Sequence, residues 1–105
     1  MIVVRDVFEV AHGRVTEAES LIRELQVVGD DIGLGPGRVL LDRTDSYFER
    51  PQTDERLVVE REFANLEVFS EKSRAAMSDD RWQAAWRACK PVLQRARREI
   101  LGTIS

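Results

Sequence analysis

The sequence predicts an α+β domain in βαββαβ order, a ferredoxin-like antiparallel sheet with its helices on one face. Three observations carry that expectation. Residues 2–10, 38–48 and 56–63 alternate apolar and polar side chains with the period of a strand. Residues 14–28 and the chain beyond 65 carry apolar stripes at helical spacing. Glycine, proline and capping residues stand at the junctions between these segments.

Each element follows from its own residues. In IVVRDVFEV, Ile2, Val4, Asp6, Phe8 and Val10 share one face, and Val3, Arg5, Val7 and Glu9 share the other. AHG then turns the chain. Val15, Ala18, Leu21, Ile22, Leu25 and Val28 form one stripe of the first helix, with Glu17, Glu19, Arg23 and Glu24 opposite. In GDDIGLGPG, Gly29 is the expected C-cap, and Pro36 forbids continuation. Two strands follow, joined by the hairpin loop ERPQTDE. On the second strand Leu57, Val59, Arg61 and Phe63 share a face. Asn65 caps a helix starting at Leu66, with Leu66, Phe69 and Ala76 as its buried stripe. SDD at 78–80 is a further N-cap signal, its acids suited to the positive end of a helix. Trp82, Trp86, Cys89, Leu93, Ala96 and Ile100 then recur at steps of 4, 3, 4, 3 and 4. That stripe predicts one helix running to residue 101, kinked or tightly restarted at Pro91, with Gly102 stopping it and TIS as a short last strand.

The bulk properties bound the function. A chain of 105 residues is expected to form one domain over residues 1–105, large enough for its own core. It is 43% hydrophobic and 33% charged, the mix of a globular protein rather than a disordered one. Its net charge of −3 argues against a nucleic-acid partner, because phosphate binding wants a basic surface. The single cysteine, Cys89, excludes an internal disulfide and a cysteine-type zinc site, and a reducing compartment is the simplest reading. Charges interrupt the N-terminal apolar run and no stretch is long enough to span a bilayer, so a cytoplasmic protein with no membrane partner is expected.

Two helices on one sheet face leave the other face, with Val3, Val7, Leu40 and Val58 among charges, open to water. A homodimer that packs two such sheets together would cover it. The segments VFEVAHGRVTEAESLIREL, GRVLLDRTDSY and LVVEREFANLEVFSEKSRAAMSDDRWQAAWRACKPVLQRARREIL resemble the dimeric α/β-barrel superfamily, which includes antibiotic-biosynthesis-monooxygenase-like and NIPSNAP-like proteins. The resemblance covers the whole chain and implies a fold, a dimer and a ligand pocket between sheet and helices. It transfers no catalytic residue, because no motif of a particular activity matches.

One row of residues is chemically conspicuous. If the hairpin pairs Tyr47 with Leu57, then Asp45 faces Val59, Arg43 faces Arg61 and Leu41 faces Phe63. Asp6, on the same face of the first strand, reaches toward Arg61. Asp6, Arg43, Asp45 and Arg61 thus make a charged row on the helix-facing side. It is either a structural ion-pair network or the floor of a pocket, with Asp6 as a base and Arg43 and Arg61 fixing an anionic oxygen. Phe8, Tyr47, Phe69, Trp82 and Trp86 are candidate aromatic walls; as a pair one turn apart, the tryptophans also read as core.

The remaining features point elsewhere. His12, the only histidine, sits in a turn and reads as a surface or capping residue. GLGPG at 33–37 follows a helix and opens a strand, the reverse of a phosphate loop. QRARRE at 94–99 reads as a solvated helix face, and Cys89 as an inert core thiol. No metal site and no cofactor are expected.

Two functions compete. The first is a dimer binding a small aromatic or anionic organic ligand. The second is a cofactor-independent monooxygenase for a polycyclic or quinol-like substrate, since a substrate that can be deprotonated needs only a base and oxyanion donors. A haem-handling protein would rest on His12 alone, and nucleic-acid binding on the basic 94–99 segment.

Overall fold

The computed structural model describes residues 1–42 and 55–102. Its elements are β1 (Ile2–Val10), α1 (Val15–Asp31), β2 (Gly37–Asp42), β3 (Arg56–Phe63), α2 (Leu66–Met77), α3 (Asp80–Cys89) and β4 (Leu93–Gly102). A 3-10 turn at Lys90–Val92 links α3 to β4. The sheet order is β2-β3-β1-β4, with every pairing antiparallel. This is the ferredoxin-like arrangement.

The even-numbered face of β1 turns toward the helices. Phe8 and Val10 bury with Leu57 and Val59 against Ala18, Ile22 and Leu25 of α1, and with Cys89 and Val92. A second cluster joins Val4 and Phe63 to Leu34, Phe69 and Ala76. The N-caps of α2 and α3 form at the expected residues. The Asn65 side chain accepts from the Val68 N–H at 2.9 Å, and Asp79 Oδ1 accepts from the Arg81 and Trp82 N–H groups. Leu66, expected in the buried stripe of α2, is instead 55% exposed; Phe69 and Ala76 are the buried residues of the helix, with Val68 partly buried beside them.

The C-terminal third differs from the sequence expectation. The last helix ends at Cys89, and residues 93–102 form the edge strand β4. Pro91 cannot continue the helix. The residues beyond it obtain backbone partners from β1 instead. The helical spacing of Leu93, Ala96 and Ile100 has a strand explanation. Val10 pairs with Leu93 but Glu9 with Arg95, so the pairing slips by one residue at Gln94. That bulge returns Leu93 and Ala96 to the same face, three apart, as a helix would. The 94–99 segment is therefore strand, and TIS lies outside the described residues.

Two further corrections affect the site. α1 does not stop at Gly29 but continues to Asp31, and Gly29 is buried within it. The β2–β3 register is six residues from the expected one: Leu41 pairs with Leu57, and Gly37, not Arg43, opposes Arg61. The slide is even, so Val39 and Leu41 keep their face. Arg43, Asp45 and Tyr47 lie outside the described residues.

On the face away from the helices, Glu60 accepts from Arg5 and Arg38, with ion pairs of 2.7 and 2.8 Å. Hydrogen bonds from Arg38 and then Arg5 hold the Glu60 carboxyl below the ordinary carboxylate range. Leu40 and Leu101, 38% and 44% exposed, lie beside this grid. No described helix is long and apolar enough to cross a membrane.

Candidate functional site

Between the sheet and helices α1 and α3 lies a cavity of about 540 Å³. Phe8 and Val59 line it from the sheet, Ile22, Leu25 and Gln26 from α1, and Trp82 and Trp86 from α3. Both tryptophans are half-buried, as expected of a wall rather than a closed core. Trp86 is tilted against Phe8 with ring centroids 6.0 Å apart. Gln26 donates to the Gly37 carbonyl, which ties α1 to β2 at the edge of the cavity. A smaller recess of about 80 Å³ adjoins it, lined by Phe63, Phe69, Leu34 and Ser73. Asp6, Arg61, Met77, Trp82 and Arg98 line both spaces.

Arg61 is the unusual group. It is 8% exposed, and its Nε and Nη2 are buried without a hydrogen-bond partner. Its charge is opposed chiefly by burial, which lowers its pKa; Asp6 acts in the other direction. A guanidinium still stays protonated at neutral pH. Two glycines bracket the side chain. A Cβ at Gly29 would stand 2.9 Å from Nη2, and a Cβ at Gly37 would stand 3.0 Å from Cγ. The sequence makes a slot for Arg61 by omitting side chains on both sides of it.

Asp6 does not hydrogen-bond Arg61. Its Oδ1 accepts from Arg98 Nε at 2.6 Å and its Oδ2 from Arg98 Nη2 at 3.3 Å, across the directly paired Asp6–Arg98 position. Arg98 also lies over the Phe69 ring, 5.2 Å from its centroid. The described polar row is thus Arg61, Asp6 and Arg98. Asp6, Arg61, Phe8, Trp82 and Trp86 converge on the large cavity, and Phe69 on the recess.

Arg98 was missed because its segment reads as helix. The available signal was the period-2 pattern of Ala96, Arg98 and Ile100 beyond a helix-ending proline. His12 is exposed in the turn before α1, and Cys89 is buried, with burial pushing its thiol up to about 11. Among the described residues no group of three or more histidine, cysteine or acidic side chains is placed to hold a metal ion.

A four-stranded antiparallel sheet in the order β2-β3-β1-β4 with helices on one face defines the ferredoxin-like class of α+β proteins. Within that class, the fold matches NIPSNAP and antibiotic-biosynthesis-monooxygenase-like structures. An uncharacterised NIPSNAP domain protein from Burkholderia xenovorans aligns with a TM-score of 0.76 at 17% identity, over 100% of this chain and 96% of that one. A putative antibiotic biosynthesis monooxygenase from Nitrosomonas europaea aligns at 0.61 and 11% identity, over 100% of both chains. A cofactor-independent oxygenase from Streptomyces nogalater aligns at 0.58 and 13% identity, over 99% of this chain and 93% of that one. At such identities the likeness establishes the fold alone. No family model and no curated protein matches the sequence.

Proposed function

We propose that this protein binds a small organic molecule in the cavity between its sheet and helices. The observation that carries the reading is Arg61, a buried guanidinium with unpartnered nitrogens beside an aromatic-walled cavity. Buried polar groups are almost always satisfied, so an unsatisfied one beside an open cavity calls for a partner. The volume falls in the range of small-molecule sites, about 300–1,000 Å³.

Tryptophan fluorescence tests this directly, because Trp82 and Trp86 are the only tryptophans. Titration with a panel of neutral and charged aromatic compounds is expected to give saturable quenching and a raised melting temperature for some of them. A panel without any saturable response contradicts the proposal.

The second reading is a cofactor-independent oxygenase, the activity named for the Streptomyces nogalater relative in fold. It would use Asp6 as the base. Both Asp6 oxygens accept from Arg98, so proton abstraction would require that pair to open. Binding alone requires no such step and is preferred. Consumption of dioxygen with a quinol substrate, lost in Asp6→Asn, would reverse the preference.

A further inference from the structure

The ion balance of the cavity is unlike that of the chain. The protein carries a net charge of −3, yet Asp6 is the only carboxylate among the described residues lining the cavity. Against it stand Arg61, Arg87, Lys90, Arg97 and Arg98. Arg97 belongs to the open face of the sheet, where it meets Glu99 at 3.3 Å. The other four remain on the helix side. Asp6 pairs with Arg98, which leaves Arg61 at the inner end attracted to Asp6 and Asp30 but in hydrogen-bonded contact with neither, and Arg87 and Lys90 toward the α3 end.

From this we infer that the ligand is an aromatic monoanion, its negative oxygen toward Arg61 where the cavity meets the inner recess, its ring against Trp82 and Trp86. The inference rests on the cavity being a ligand site and specifies what it takes. The glycine slot holds the guanidinium in place before any ligand arrives, so little ordering is needed on binding. One guanidinium without a directly bound partner matches a carboxylate or an enolate. A phosphate dianion would leave excess negative charge beside the apolar Leu34, Phe63 and Phe69. The rim cations, Arg87 and Lys90, attract an anion toward the opening. The apolar walls accept the rest of the molecule.

The test uses a matched pair of probes, 2-naphthoate and its neutral isostere 2-naphthamide, titrated into the full chain by calorimetry and tryptophan fluorescence. The expected result is at least tenfold tighter binding of the acid. In Arg61→Met, with folding checked by circular dichroism, the two affinities should become equal. Gly29→Ala, which pushes the guanidinium out of its slot, should shrink the preference as well and serves where Arg61→Met does not fold. Equal affinities in the unmutated protein overturn the anion assignment while leaving the cavity a ligand site. An acid preference that survives both substitutions overturns the role given to Arg61. Failure of both probes to bind overturns the inference and the binding proposal together.

Discussion

Replacing Arg61 by methionine should make the unliganded protein more stable. Two guanidinium nitrogens, Nε and Nη2, are buried without partners. A buried polar group left unsatisfied costs about 1–3 kcal/mol. Methionine keeps most of the aliphatic stem that lies across Gly37, and it removes the charge and both orphaned donors. The loss on the other side is the attraction of Arg61 to Asp6 and Asp30, partly offset by relief of its repulsion with Arg98, and Asp6 retains Arg98 as its hydrogen-bonded partner. The balance favours the variant by about 1–3 kcal/mol. For a domain of this size each 1 kcal/mol appears as about 4–8 °C in melting temperature. Thermal denaturation by circular dichroism, with urea melts for the free energy, reads the effect. The substitution should at the same time remove the extra stabilisation that an aromatic acid gives over its neutral amide, the exchange of function for stability typical of binding sites. A fall of several degrees would show that Arg61 holds the fold together and would refute the reasoning.

Other perturbations follow from the same geometry. Gly29→Ala should destabilise by about 1 kcal/mol, because crowding against Arg61, Trp82 and Leu34 outweighs the ordinary gain of alanine within a helix. The penalty should diminish in the Arg61→Met background, and a net gain of stability in the parent protein would contradict the slot. Light scattering at micromolar concentration is expected to give twice the 12.0 kDa chain mass, with the open sheet face as the interface; Leu101→Lys should weaken that dimer, and a stable monomeric parent would reject it. Cys89, whose thiol burial and then Glu24 push up to about 11, should resist a thiol reagent at pH 8 until the chain unfolds. The folded thiol holds its proton to higher pH than the unfolded one. Its stabilising contribution is therefore complete below about pH 9 and is lost as the pH rises through about 11.

Much of this protein was legible in its residues. Alternation in IVVRDVFEV and LVVEREF determined two strands and their helix-facing sides, and the stripe from Val15 to Leu25 determined the first helix; Val7 and Val58, expected on a face open to water, are buried as well. Asn65 and Asp79 marked helix starts because capping is a short-range hydrogen bond, settled within three residues. The placement of Asp6 and Arg61 on the helix-facing side was also legible, since a strand's faces depend only on parity. What only the tertiary structure decided was pairing. The register that puts Gly37 beside Arg61 depends on contacts between segments far apart in the chain, and alternation is satisfied equally by any even slide. The identity of β4 depended on β1 offering hydrogen bonds to residues after Pro91, and its bulge at Gln94 imitated helical spacing. Arg98 therefore reached Asp6 through a cross-strand pairing that no local pattern encodes. The slot of Arg61 follows the same logic: Gly29 and Gly37 look like punctuation in the sequence, and only packing turns their missing side chains into space for a guanidinium.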